Sequence, residues 1–131
     1  MKIVRILWLT TGLCGLIIGS LMLLRPDGSA LSLELQRLAQ SPVSNYALPG
    51  LFVGIFYGAI PLALVALFKE NRTLWSLVGL GYLGLSLAWI ATEHALWGIF
   101  DWPHLVFVLL NGSSLVLLLR QSYIAWRDTQ K

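Results

Sequence analysis

The sequence predicts an all-α membrane protein, namely an antiparallel bundle of four transmembrane helices with a short amphipathic helix in its first outer loop. Of the 131 residues, 57% are hydrophobic and only 11% are charged, whereas about a quarter of a soluble domain is charged. So few charges cannot cover a surface exposed to water, and the mean hydropathy is +0.77. The length allows a single domain over 1–131.

Four apolar runs are close to the length of about 20 residues that a helix needs to cross a bilayer. The predicted spans cover 6–24, 47–68, 74–97 and 103–120, and the outer loop covers 25–46. The first run is long and no A-x-A cleavage site follows it, so we interpret it as an uncleaved span rather than a signal peptide.

The basic residues predict the orientation, because Lys and Arg concentrate on the cytoplasmic side of membrane proteins. Only Arg25 and Arg37 fall on one side of the four spans. The other seven fall on the opposite side: Lys2, Arg5, Lys69, Arg72, Arg120, Arg127 and Lys131. Both termini are therefore expected in the cytoplasm. The basic residues flank apolar runs instead of forming a patch, so we expect no nucleic-acid partner.

The outer loop begins with a turn at Pro26-Asp27-Gly28. Leu31, Leu35 and Leu38 then follow at helical spacing, while Leu33 breaks the stripe. This pattern predicts a short amphipathic helix, either lying in the outer interface or packed over the outer end of the bundle.

Small residues predict how the spans pack, since membrane helices associate through close backbone contact. The candidate packing residues are Gly15 and Gly19 in span one, Gly50, Gly54 and Gly58 in span two, and Asn111 in span four; span three adds Gly81, Gly84, Ala88, Ala91 and Ala95. One interpretation places them inside a single bundle, and another uses the span-two ridge for homodimerisation. Asn111 is expected to hydrogen-bond a neighbouring helix, and Pro61 is expected to kink span two.

The stretch WIATEHALWGIFDWPH, 89–104, holds most of the polar chemistry. Glu93 lies 19 residues after Leu74, a rise of about 28 Å, which places it at the outer boundary of the bilayer. The tryptophans are typical of an interfacial belt. The predicted rim contacts are Arg25, Asp27, Arg37, Trp97 and Trp102, with a salt bridge from Glu93 to Arg25 or Arg37.

Two chemical roles remain open for this cluster. Glu93 and His94 are the candidate catalytic residues, because acids near membrane depth are costly and often functional. His94, His104 and Asp101 are the candidate metal ligands, since imidazole and carboxylate suit divalent metals, although their spacing matches no signature. We expect no cofactor, and the lone Cys14 is interpreted as a packing residue.

The segment 25–62 resembles a family of small, uncharacterised four-span bacterial membrane proteins, loosely DoxX-like. The shared elements are Pro26-Asp27-Gly28, Ser41-Pro42, Tyr46 and Pro49-Gly50, whereas Val43 and Asn45 depart from the pattern. The resemblance implies a four-span architecture and a location in the bacterial inner membrane. It implies no reaction.

Two functional hypotheses follow. The first is a non-enzymatic inner-membrane protein that binds a partner protein or lipid through its outer loop and rim. The alternative is an outward-facing, metal- or proton-dependent enzyme or transporter that uses Glu93, His94 and His104.

Overall fold

The chain folds into four long helices that run up and down in sequence. The computed structural model describes residues 2–67, 72–98 and 100–128, and no β-strand occurs within these ranges. The helices are α1 (Lys2–Leu24), α2 (Ala47–Leu67), α3 (Arg72–Trp97) and α4 (Trp102–Asp128). Each contains a segment long and apolar enough to cross a membrane, so the chain is a multi-pass membrane protein with the predicted all-α fold.

The observed helices extend past several predicted boundaries. Helix α1 starts before residue 6, and α4 continues to Asp128 rather than ending near 120. The predicted end of span two at Phe68, and the basic residues Lys69 and Lys131, lie outside the described residues. The outward surface of α1 is strongly apolar: Ile3, Ile6 and Ile17 are each more than half exposed. Such a surface suits contact with lipid.

Helix α1 packs against both α2 and α4, and α4 also packs against α3. Helices α2 and α3 meet instead through large aromatic side chains. The Phe52 and Trp89 ring centroids are 4.6 Å apart, and those of Phe56 and Tyr82 are 5.6 Å apart. The α2–α3 contact is therefore made by side chains that hold the two backbones apart.

Glycines bring the α1 and α2 backbones into direct contact. A Cβ built on Gly15 would lie 2.3 Å from the Tyr57 carbonyl carbon, and one on Gly19 would lie 2.6 Å from the Gly54 nitrogen. Gly50 and Gly58 face Met22 and Leu16 of α1 in the same way. The span-two ridge is thus covered by α1 within one chain, as the single-bundle interpretation expects.

The small residues of α3 differ from the prediction that they lie inside. Added Cβ atoms at Gly81 and Gly84 would meet nothing within 4 Å. Ala88, Ala91 and Ala95 are exposed. The reason is that α3 turns Tyr82, Leu83 and Ile90 inward, and these large side chains occupy the space between the helices.

Pro61 changes the winding of α2 one turn before it. Proline has no N–H to donate to the carbonyl of Tyr57, four residues earlier. The helix is α-helical over Ala47–Phe52, π-helical over Val53–Ala59 and α-helical again over Ile60–Leu67. A widened segment thus precedes Pro61, while the predicted kink of the helix axis stays a prediction. Such segments often occur at functional sites.

The outer loop forms two short 3₁₀ turns, Ser29–Leu31 and Leu35–Leu38, in place of one amphipathic helix. Ser32 adopts φ 55°, which reverses the chain between the turns. This reversal buries Leu33 together with Leu31 and Leu38, while Leu35 remains 44% exposed. The predicted stripe was therefore wrong at Leu35 and Leu33. Of the two predicted placements, the loop takes the one over the outer end of the bundle.

Candidate functional site

A cavity of about 350 Å³ lies at the end of the bundle that carries the loop 25–46, and residues of all four helices and of this loop line it. This volume is within the range of roughly 300–1,000 Å³ that is usual for small-molecule sites. Its walls are mainly apolar and aromatic, and its polar side chains are few. The lining includes Met22, Leu33, Leu38, Val43, Phe52, Val53, Tyr57, Trp89, Ile90 and Phe107, with the polar groups Ser41, Tyr46, Glu93, Asp101 and His104.

The cavity reaches the lateral surface of the bundle, at the sides of α2 and α3. Leu48 on α2 and Trp89 on α3 both line it, and they are 61% and 36% exposed. Both residues belong to helices that are apolar enough to span a membrane. The cavity wall between α2 and α3 therefore faces the lipid side of the molecule.

The outer loop is attached to the beginning of α4 by two polar contacts. Arg37 Nη1 donates to Asp101 Oδ1 at 2.6 Å, and the Asp101 side chain is only 5% exposed. The Trp102 indole N–H donates to the Leu31 carbonyl at 3.0 Å. These bonds hold the loop over the cavity.

The loop is also bonded to itself at the start of α2. The Tyr46 hydroxyl donates to the Glu34 carbonyl at 3.0 Å. Burial and the nearby Asp101 carboxylate raise the pKa of the Tyr46 phenol. Tyr46 therefore keeps its proton and remains a donor at neutral pH.

His104 caps the first turn of α4 and is oriented by it. The His104 N–H donates to the Asp101 carbonyl at 3.0 Å, and the Asp101 N–H donates back to His104 Nδ1 at 3.1 Å. The bond from the Asp101 N–H to the His104 ring is one half of a capping box, with histidine in place of the usual Glu or Gln. The other half is absent, because the backbone carbonyl of Asp101 and not its side chain accepts the His104 N–H. Because Nδ1 accepts a hydrogen bond, it carries no proton, and the ring proton sits on Nε2.

The Nε2 atom of His104 lies 3.2 Å from Glu93 Oε2. The Glu93 and His104 side chains are 21% and 18% exposed. The structure therefore pairs Glu93 with His104 inside the cavity. The predicted salt bridge from Glu93 to Arg25 or Arg37 is not formed among the described residues. The reason is that the turn between α3 and α4 brings His104 directly against α3, while Asp101 takes Arg37.

His94 lies apart from this pair. His94 directly follows Glu93, and adjacent side chains of a helix point about 100° apart. Glu93 faces the cavity, so the His94 side chain points away from it and is exposed. The Phe100 ring lies between the two histidines, 5.7 Å from the His94 centroid and 5.8 Å from that of His104. Among the described residues, no group of three His, Cys, Asp or Glu side chains is placed to hold a metal ion. The proposed ligands His94, His104 and Asp101 are thus not brought together.

The remaining predicted rim residues have separate roles. Asp27 accepts hydrogen bonds from the Ser29 hydroxyl at 2.8 Å and the Ser29 N–H at 3.1 Å, and these bonds lower the pKa of its carboxyl. Arg25 is exposed at the start of the loop. The Trp97 side chain lies outside the described residues.

Asn111 is fully buried in α4 near the Tyr82 hydroxyl of α3. Neither group makes a well-formed hydrogen bond with the described residues. The Asn111 amide and the Tyr82 hydroxyl are thus close across the α3–α4 contact, where the interhelical hydrogen bond was expected, and that bond stays a prediction.

Tyr57 is a site residue that the sequence reasoning missed. It lies in the π-helical segment, and its hydroxyl donates to the Ser86 carbonyl of α3 at 2.9 Å. Its ring stacks on Phe107 of α4 with centroids 4.4 Å apart. A usable signal was present, because a tyrosine within an apolar span needs a partner for its hydroxyl.

Comparisons with protein-family models, with characterised proteins and with solved structures yield no match. The resemblance to the four-span, loosely DoxX-like family therefore stays a prediction.

Proposed function

We propose that this protein binds a lipid-like molecule in the cavity beneath its outer loop. The observation that carries the proposal is the cavity itself, which is about 350 Å³ in volume and has apolar walls with a polar end. Its polar end contains Glu93 and His104, and its lipid-facing wall contains Leu48 and Trp89. Sites of this composition bind ligands through burial of apolar area and orient them through a few polar groups.

The proposal places the cavity in the outer leaflet of a bacterial inner membrane. Support comes from the distribution of Lys and Arg, seven on one side of the spans against two on the other, which favours cytoplasmic termini. Reporter fusions test this orientation. A reporter active only in the cytoplasm should work when fused to the C-terminus, and one active only outside should work when inserted in the loop near Gln40. The reverse pattern would refute the orientation.

Native mass spectrometry of the protein released from a mild detergent tests lipid binding. Val53 lines the cavity, whereas Ile55, two residues later in the same π-helical segment, is 52% exposed and does not line it. We expect the wild-type protein and the Ile55→Phe variant to carry a bound lipid, and the Val53→Phe variant to lose it. Equal retention by both variants would place the lipid on the outer surface and refute the proposal.

The geometry does not favour His104 as a general base in an enzyme. A general base needs a free lone pair within reach of the proton that it removes. Both ring nitrogens of His104 are engaged, Nδ1 by the Asp101 N–H and Nε2 by Glu93. The group left with free acceptor capacity is Glu93.

A further inference from the structure

The Glu93–His104 pair has a defined direction of hydrogen bonding. Because His104 Nδ1 accepts the Asp101 N–H at 3.1 Å, Nε2 must be the protonated nitrogen. Nε2 therefore donates to Glu93 Oε2 across 3.2 Å, and Glu93 accepts as a carboxylate does. His104 remains neutral while both bonds stand. The pair thus presents one negative charge, located on Glu93.

The other charges at the cavity cancel. Asp101 also lines it, but its carboxylate is paired with Arg37 at 2.6 Å. His104 is neutral for the reason just given, so the uncompensated charge among the described lining residues is that of Glu93. Its second oxygen, Oε1, accepts no hydrogen bond from the described residues. This atom is the free polar contact point of the cavity.

Aromatic rings line the same cavity as this carboxylate. Phe52 and Trp89 lie with centroids 4.6 Å apart on one pair of helices, and Tyr57 and Phe107 stack at 4.4 Å on another. All four rings line the cavity. Aromatic faces attract ammonium groups, most strongly where water is excluded.

We propose that the cavity binds an amphiphile with a cationic ammonium head, which contacts Glu93 Oε1 and the aromatic rings while its apolar chain fills the rest of the cavity. This inference rests on the proposed lipid-binding function and names the class of ligand. The position of Glu93 agrees with it. Glu93 lies 21 residues after Arg72, the first residue of α3, a rise of about 32 Å. That depth matches the headgroup region of the outer leaflet.

The test compares two ligands with the same chain and different heads, dodecylammonium and dodecanol. Binding to the detergent-purified protein is measured by quenching of tryptophan fluorescence with chain-brominated forms of each, since Trp89 lines the cavity. We expect dodecylammonium to bind the wild-type protein about tenfold more tightly than dodecanol. Glu93→Gln should remove this preference by weakening dodecylammonium binding about tenfold, to the level of dodecanol. The matched control is Glu34→Gln, because Glu34 is exposed and does not line the cavity.

The outcomes separate this inference from the proposed function. If dodecanol binds as tightly as dodecylammonium, or if Glu93→Gln keeps the preference, the ammonium assignment is wrong while lipid binding stands. If neither ligand binds, or if Val53→Phe leaves both affinities unchanged, the proposed function itself fails. Nanodiscs with and without phosphatidylethanolamine identify the natural source of the ammonium. Competition with dodecylammonium supports an aminolipid headgroup, and absence of competition with the preference intact supports a free lipophilic amine.

Discussion

Replacement of Gly15 by alanine tests the close packing of α1 on α2. The new Cβ would lie 2.3 Å from the Tyr57 carbonyl carbon and 2.5 Å from the Gly58 nitrogen. These are backbone atoms, which cannot rotate away as a side chain can. Ordinary van der Waals contact begins at 3.4 Å, so the two helices must separate by about 1 Å, and close-packed interiors resist such a shift.

The control is Gly84→Ala, where the added Cβ meets nothing within 4 Å. Both substitutions replace glycine by alanine within a helix and gain about 1 kcal/mol of helix propensity. The propensity terms cancel in the comparison, so the difference between the two variants measures the steric clash. We expect Gly15→Ala to be less stable than Gly84→Ala by about 1–3 kcal/mol, the usual cost of overpacking.

The assay is reversible unfolding in mixed micelles of a mild detergent and increasing sodium dodecyl sulfate, followed by far-ultraviolet circular dichroism. Gly15→Ala should unfold at a lower sodium dodecyl sulfate fraction than the wild-type protein, and Gly84→Ala at an equal or higher one. Equal midpoints for the two variants would show that the backbones of α1 and α2 are not in contact at Gly15.

Three further predictions concern polar contacts. Tyr57→Phe should lower the free energy of unfolding by about 1 kcal/mol in the same assay, because it removes a buried hydrogen bond to α3. The control Tyr123→Phe changes a side chain that is 61% exposed and should leave the free energy of unfolding unchanged; equal effects of the two variants would contradict the hydrogen bond. Arg37→Ala should lower the free energy of unfolding by about 1–3 kcal/mol, because it leaves the buried Asp101 carboxylate unpaired. It should also speed amide hydrogen exchange in 29–46, whereas the control Arg25→Ala should not; unchanged exchange in Arg37→Ala would refute the attachment of the loop. The hydrogen bonds from Ser29 lower the carboxyl pKa of Asp27, so the Asp27–Ser29 turn is fully formed above the unfolded-state pKa and loosens as the pH falls through the folded-state pKa. NMR titration of the Asp27 carboxyl should therefore give a midpoint below that of an unfolded peptide, and an equal or higher midpoint would exclude these hydrogen bonds.

The sequence was most informative where one property extends along a whole segment. Four apolar runs near 20 residues each identify four spans, since the thickness of the bilayer sets the required length. The α1–α2 contact was also accessible, because Gly15, Gly19, Gly50, Gly54 and Gly58 share a four-residue spacing that places them on one helix face. The same spacing argument failed for Gly81 and Gly84, because it cannot tell which face of a helix meets a neighbour and which meets lipid.

The outer loop shows why local pattern is weaker in short segments. Leu31, Leu35 and Leu38 fit a helical stripe, yet Leu33 is buried and Leu35 is exposed. The left-handed conformation at Ser32 reverses the chain, and nothing in the residue type requires that conformation. Leu31, Leu33 and Leu38 are buried because they contact the end of the bundle beneath the loop, a contact that the local sequence pattern does not specify.

The sequence by itself determined the membrane class, the number of spans and the presence of Glu93, His104 and Asp101 near the ends of the last two spans. Only the tertiary structure decided which of them meet. Glu93 and His104 are 11 residues apart on different helices, and Arg37 lies 64 residues from Asp101. The Glu93–His104 contact depends on how the chain turns between α3 and α4, and the Arg37–Asp101 contact depends on how the loop packs over the end of the bundle. The cavity follows from the same cause, because its walls come from four helices and a loop whose spacing is set by packing.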